Sequence, residues 1–166
     1  MKLISFEDLF IDQLRDLYNA EDQILKIFPM MVKTAHSEEL QEAFRDHHEH
    51  TKQHIERLEE IFEKLNVSAW GKRCKAMEGI LEEGKETMHE EADPDVLDAA
   101  LIAMAQRMEH YEIAGYGCAR TFAQHLGDDQ AANLLQETLT EEEESDRRLT
   151  QIAETSINVL AASHHG

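Results

Sequence analysis

From Phe6 to Leu65 the chain contains no glycine and one proline, Pro29, while apolar residues recur at every third or fourth position. That spacing draws one stripe along an α-helix and rules out the alternation of a strand. Phe10, Leu14, Leu17, Ile24, Phe28 and Met31 form a first stripe, and Leu40, Phe44, Leu58, Ile61 and Leu65 a second. Breakers are equally sparse elsewhere. The 166 residues include 7 Gly and 2 Pro, about half the usual share, so elements must be long. Glu, Gln, Leu, Ala and Met dominate and favour helix, whereas the β-prone Val, Tyr and Trp are scarce.

The few punctuation marks divide the chain into four long helices and one short one. Ser5 and Asp8 of "SFED" read as a capping box opening a helix over 6–35, with Pro29 kinking or locally breaking it. Ser37 caps a second helix over 38–65. "NVSAWGKR" reads as a loop whose Trp70 plugs one end of the fold, followed by a short helix over 74–90. Asp93 and Pro94 open a third long helix that stops near Leu126, before the C′ glycine Gly127. Asp128 or Asp129 caps the fourth, which continues to about Ala161. Two links are a few residues long and make antiparallel hairpins. The middle one, about 28 residues with the short helix inside it, can travel the ~45 Å length of such a bundle. The fold expected over 1–162 is therefore all-α: a four-helix bundle with one long crossover between helices 2 and 3, the ferritin-like topology. Residues 163–166, "SHHG", are expected to be a disordered tail.

Charge narrows the function. Sixteen Lys and Arg against 35 Asp and Glu give a net charge of −19. Such a surface repels phosphates, so direct nucleic-acid binding is not expected, and it attracts cations. No stretch reaches the roughly 20 apolar residues of a membrane span, and "MKLISFEDLF" lacks the apolar core of a signal peptide. The expectation is a cytoplasmic protein whose two cysteines, Cys74 and Cys118, are reduced thiols, Cys118 packed in the core.

Polar residues interrupt the stripes at matching depths. Glu21 stands on the first, His47, His50 and His54 on the second, Glu109 and Glu112 beside the third, and Glu142 and Asp146 on the fourth. A buried carboxylate is costly unless paired or bound to a cation. One alone would be a salt bridge. Here the midpoints of four helices place at least four acids and one or more imidazoles at one level, with no Lys or Arg on the stripes. A metal cation is the economical counterion, and an oxygen-rich donor set with His suits iron or manganese. The candidate ligands are Glu21, His50, His54, Glu109, Glu112, Glu142 and Asp146. His47 and Tyr116 are candidates for supporting or additional roles. No strict Glu-x-x-His, the usual dinuclear motif of helical bundles, occurs on the stripes.

The segments "FEDLFIDQLRDLYNAEDQI", "CKAMEGILEEG", "MEHYEIAGYG" and "LLQETLTEEEESD" resemble the YciE/YciF family of bacterial stress-associated, ferritin-like proteins, from about Leu3 to Ile157. The resemblance implies a dinuclear centre of two Fe per chain, with Mn as the alternative, and a homodimer. It also implies a role in oxidative or envelope stress, with ferroxidase or peroxide-consuming activity on O2 or H2O2. Manganese catalase-like activity and a non-enzymatic structural role are the competing readings. Carried over by position, Glu21, Glu109, Glu112 and Glu142 match the family's acids, and His47 and Thr51 match its His-Leu-x-Glu-Thr signature. The acid expected before Thr51 is His50. Either His50 ligates in its place, or Glu49 is recruited by a register shift, or the centre is altered.

Overall fold

Two antiparallel helix pairs, joined by a crossover that returns along the first helix, build the molecule. The structure is a computed structural model and describes residues 3–163. Its helices are α1 (Phe6–Thr34), α2 (Glu38–Leu65), α3 (Lys75–His89), α4 (Pro94–His125) and α5 (Asp129–Ile152). A wide π-helical turn, Ala153–Ile157, then leads into α6 (Asn158–Ser163). The expected fourth helix is thus interrupted near its end. Ser163, assigned to the tail, closes α6, and the tail's last three residues lie outside the described residues. Among the described residues there is no strand, and no helix is long and apolar enough to cross a membrane.

The caps follow the local chemistry. Ser5 Oγ accepts from the Asp8 amide at 3.0 Å and Asp8 accepts from the Ser5 amide at 2.9 Å, closing the capping box. Asp128, not Asp129, caps α5, accepting from the Ala131 amide at 3.0 Å. Gly127 adopts φ 74°, the left-handed conformation that ends α4. The α1–α2 turn is also fixed from a distance. Buried Asp98 of α4 accepts the amides of His36 and Ser37 at 2.8 and 2.7 Å.

α1 runs through Pro29 without the expected break. Proline at that position deprives the Leu25 carbonyl of its helical partner. Half-buried His48, on α2, is close enough to that carbonyl for it to offset part of the lowering of its pKa by burial.

Around the bundle α1 adjoins α2, α2 adjoins α5, α5 adjoins α4, and α4 closes on α1. The crossover climbs the outside of α1. Arg15 Nε donates to the Ser68 carbonyl at 2.9 Å, Lys72 pairs with Asp12 at 2.5 Å, and the Cys74 amide donates to Asn19 at 2.7 Å. These contacts hold the loop against the flank of α1, so Trp70 is 66 % exposed and stands edge-on to Tyr18 instead of plugging the bundle end. α3 then packs on α4 and α1, with Gly84 against Met104, where a Cβ would overlap the Met104 side chain. Cys118 departs from its expected place in the core. Cys118 is exposed, because Tyr116 and Ala119 take the inward positions of that turn. Cys74 is buried, with its Sγ 3.1 Å from Asp16 and 3.0 Å from the Tyr111 hydroxyl.

The apolar core is divided. One cluster gathers Ile24, Phe28, Met31, Phe44, Met104 and Leu149 towards one end. Another gathers Phe10, Leu14, Leu58, Phe62, Tyr116 and Leu135 towards the other. Between them lies a layer of buried polar side chains: Glu21, His47, Thr51, His54, Glu109, Glu112 and Glu142.

Candidate metal centre

Each long helix contributes to this layer. α1 supplies Glu21, α2 supplies His47 and His54, α4 supplies Glu109 and Glu112, and α5 supplies Glu142. They fall into two overlapping groups. His47, Glu109, Glu112 and Glu142 offer donor atoms within 4.8 Å of one another, and so do Glu21, His54 and Glu142. Glu142 belongs to both. Its Oε1 lies 2.9 Å from His54 Nδ1 and its Oε2 lies 3.6 Å from His47 Nε2.

The outward-facing atoms of these residues are engaged by their surroundings. The Tyr116 hydroxyl donates to Glu21 Oε1 at 2.5 Å. Ser145 Oγ donates to Glu109 Oε1 at 2.9 Å and lies 2.7 Å from His47 Nδ1. His54 Nε2 is 2.8 Å from Glu141 Oε2, and Arg57 holds Glu141 with two bonds of 2.7 and 2.8 Å. Apart from the close approach of His54 Nδ1 to Glu142 Oε1, the inward-facing atoms touch no polar partner in hydrogen-bonding geometry: Glu21 Oε2, His47 Nε2, His54 Nδ1, Glu109 Oε2 and both oxygens of Glu112 and Glu142. Eight orphaned donors from six buried residues converge on one region. Buried polar groups are ordinarily satisfied, and a chain of carboxylate, imidazole and inward nitrogen is how proteins orient a metal-binding histidine. The donor set is hard oxygen with two imidazoles, which fits iron or manganese.

Four carboxylates cannot share such a space as anions without a cation. Burial drives Glu109 up to about 7 and Glu142 up to about 8. Glu112 is pushed well above the ordinary carboxylate range by burial and by the charges of Glu142, Glu21 and Glu109. Burial lowers His47 and keeps it neutral, the form that can ligate. Burial also opposes a charge on His54, but Glu21, Glu141 and Glu142 outweigh it and hold the imidazole well above its ordinary value. Glu141 moves the other way. Burial would raise it, yet the Arg57 and His54 contacts bring it down to about 2.

The sequence-predicted residues separate accordingly. Glu21, His54, Glu109, Glu112 and Glu142 come together, joined by His47. His50 joins neither group. On a helix of 3.6 residues per turn, positions 47, 51, 54 and 58 share one narrow face, and 50 sits roughly 60° from 47. His50 is therefore half-buried, stacked beside His54 with ring centroids 6.4 Å apart. Asp146 is also outside, accepting from Gln106 at 3.2 Å and facing His110 at 3.3 Å. Glu49 is exposed and paired with Lys52, so no register shift brings it in. Thr51 is buried in the layer with an unpartnered hydroxyl, and Tyr116 buttresses Glu21.

Arg57, Glu141 and Ser145 escaped the sequence reading. Glu141 was hidden in the acidic run "EEEE". Ser145 had a legible signal, its place three residues after Glu142. Bundles with dinuclear carboxylate sites commonly take one Glu from two helices and Glu-x-x-His from the other two. Here those spacings read Thr51-x-x-His54 and Glu142-x-x-Ser145, one carboxylate and one imidazole short. His47, one turn before Thr51, brings its ring against Ser145, and α4 contributes both Glu109 and Glu112. The inventory stays at four carboxylates and two imidazoles while two of its members change helix.

Comparison with known proteins agrees with this architecture. Residues 5–162 match the family described as domain of unknown function DUF892. Protein YciF of Escherichia coli K12 is 42 % identical over 162 residues, covering 97 % of this chain and 98 % of that one. The crystal structure of E. coli stress protein YciF superposes with a TM-score of 0.90 over 93 % of this chain and 98 % of that chain. YcfI of Rhodopseudomonas palustris, proposed to be structural, is 41 % identical, with a TM-score of 0.87 over 90 % of this chain and 95 % of that chain. A two-domain Anabaena variabilis protein with a ferritin-like domain shares the fold at 17 % identity, with a TM-score of 0.64 over 93 % of this chain and 38 % of that chain. With a matching family model over nearly its whole length and a relative this similar end to end, the chain belongs to the DUF892 family of YciF-type, ferritin-like helical bundles.

Proposed function

We propose that the protein holds two iron ions in the polar layer, with manganese the alternative, and oxidises Fe²⁺ while consuming dioxygen or peroxide under stress. The observation that carries this reading is the convergence of eight orphaned donor atoms from six buried residues, with Glu142 common to both groups. Glu21, His54 and Glu142 would hold one ion, and His47, Glu109, Glu112 and Glu142 the other. A bound metal pair supplies one-electron redox chemistry and a Lewis-acidic site for small oxygen species. The chain's own residues do the rest. Glu141, anchored by Arg57, keeps the His54 ring oriented with Nδ1 inward. Ser145 fixes His47 and Glu109 together. Tyr116 holds Glu21 by one oxygen and leaves the other free. The two apolar clusters exclude water from both sides of the layer. Iron for the first reading and manganese for a catalase-like one share this donor set, so elemental analysis separates them.

A structural reading, in which the layer only fixes bundle register, draws on the R. palustris relative. It is disfavoured by the orphaned donors, because a layer serving specificity alone works best when fully satisfied. Elemental mass spectrometry on the purified protein, beside a Glu21→Ala/Glu142→Ala variant, tests the proposal. About two Fe or Mn per chain, lost in the variant, supports it. No metal after anaerobic Fe²⁺ loading refutes it and favours the structural reading. The homodimer implied by the family resemblance and the cytoplasmic location expected from the sequence belong to the same proposal, and light scattering of the purified chain tests the first.

A further inference from the structure

His50 and its neighbours stand where the polar layer comes nearest to solvent. Glu21, His54, Glu112 and Glu142 are fully buried, so an ion needs a route to them. His47 and Glu109 retain slight exposure, 4 % and 2 %, and they mark one side of the layer. On that side a cleft of about 180 Å³ opens between α2 and α5, with His47 and Ser145 in its wall. His47 Nε2 is buried and without a hydrogen-bond partner. The clefts beside α3, along the α1–α4 seam, at the Phe10 end and outside α2 include none of the six donors in their walls.

The mouth of the α2–α5 cleft carries cation-binding side chains. His50, Glu144 and Asp46 line it, together with Glu141. Asp46 of α2 is bound by Arg148 of α5 at 2.6 Å, so one ion pair spans the cleft from helix to helix. Both partners of that pair are largely solvated, with side-chain exposures of 41 % and 51 %. An exposed pair contributes little to stability and re-forms easily after opening. His50 stacks beside His54, one turn from the inner donors, without joining either group.

We propose that divalent metal ions enter the centre through this α2–α5 cleft, with His50 as a transient ligand at its mouth and the Asp46–Arg148 pair as a clasp across it. The inference rests on the dinuclear reading of the layer. It assigns His50 a role in delivery rather than in the finished site. Arg148 also places a positive charge in the path of an incoming cation, so the clasp slows loading both by geometry and by repulsion.

The test is the rate of Co²⁺ uptake by the full-length, metal-free protein. It is followed by stopped-flow absorbance of the protein-bound ion, with Co²⁺ as the only added metal. His50→Ala is expected to slow uptake at least threefold and Arg148→Ala to speed it at least threefold. Lys26→Ala, on the α1–α3 cleft, is expected to match wild type. Final stoichiometry should stay at two per chain in all, since none of the three residues is among the six donors. Circular-dichroism melts within a few degrees of wild type confirm that each variant is folded. Wild-type stoichiometry with unchanged rates in both His50→Ala and Arg148→Ala would overturn the route and leave the dinuclear reading standing. Failure of the wild-type protein to take up Co²⁺ at all would overturn both.

Discussion

Replacing Glu142 with glutamine should make the metal-free protein less sensitive to alkaline pH, because Glu142 is a carboxyl that the fold keeps protonated. Its pKa is driven up to about 8, from an ordinary value of 4.5. A group with a raised folded-state pKa favours the native state fully at low pH. That contribution is lost as the unfolded chain ionises and the native one does not, until pH passes the folded pKa. The window is therefore about pH 4.5 to 8. Each pH unit inside it costs about 1.4 kcal/mol per group. Between pH 5.5 and 7.5, Glu142 alone should remove about 3 kcal/mol. His54, also raised, loses its stabilising contribution in the same direction above the ordinary imidazole range, and Glu112 and Glu109 add to the slope. Urea unfolding of chelator-treated protein at pH 5.5 and 7.5 reads this directly. With an m-value of about 2 kcal/mol/M, the wild-type midpoint should fall by more than about 1.5 M. The Glu142→Gln midpoint should fall by at least about 1 M less. Wild-type stability that rises over this window, or a variant slope equal to wild type, would refute the assignment of protonated carboxyls to the layer.

Metal binding should release protons, since the carboxyls of Glu142 and Glu109 are driven up to about 8 and about 7, and Glu112 and His54 are raised in the same direction. Calorimetric titration in buffers of different ionisation enthalpy should find net proton release as the centre fills. Arg57→Met should weaken metal affinity about 10- to 100-fold by freeing Glu141 from its position behind His54, measured by competition with a coloured chelator. Gly84→Ala should cost about 1–3 kcal/mol in chemical denaturation by forcing the buried Met104 side chain aside. Of the two cysteines, exposed Cys118 should react with a disulfide reagent in the native protein well ahead of Cys74, whose thiol is buried and raised in pKa.

Much of this protein was written in local pattern. The three- and four-residue spacing of Leu14, Leu17, Ile24, Phe28 and Met31 dictated a helix with one apolar face. Ser5, Ser37, Asp93 and Gly127 marked where helices start and stop, because capping is a contact between near neighbours in the chain. Acids at the midpoints of the stripes announced a polar layer, and Glu21, Glu109, Glu112 and Glu142 do lie in it. Three decisions needed the assembled fold. Whether a histidine faces the interior depends on where the neighbouring helices close, which set His47 and His54 inside and left His50 at the rim. Which acid of "EEEE" matters beyond Glu142 depended on Arg57, 84 residues earlier, reaching Glu141. The exchange of a histidine at 145 for one at 47 was invisible to spacing because the two positions meet only across the α2–α5 interface, where Ser145 Oγ and His47 Nδ1 come within 2.7 Å. Periodicity determines what lies on one face of one helix, whereas a site shared by four helices is fixed by the packing that brings those faces together.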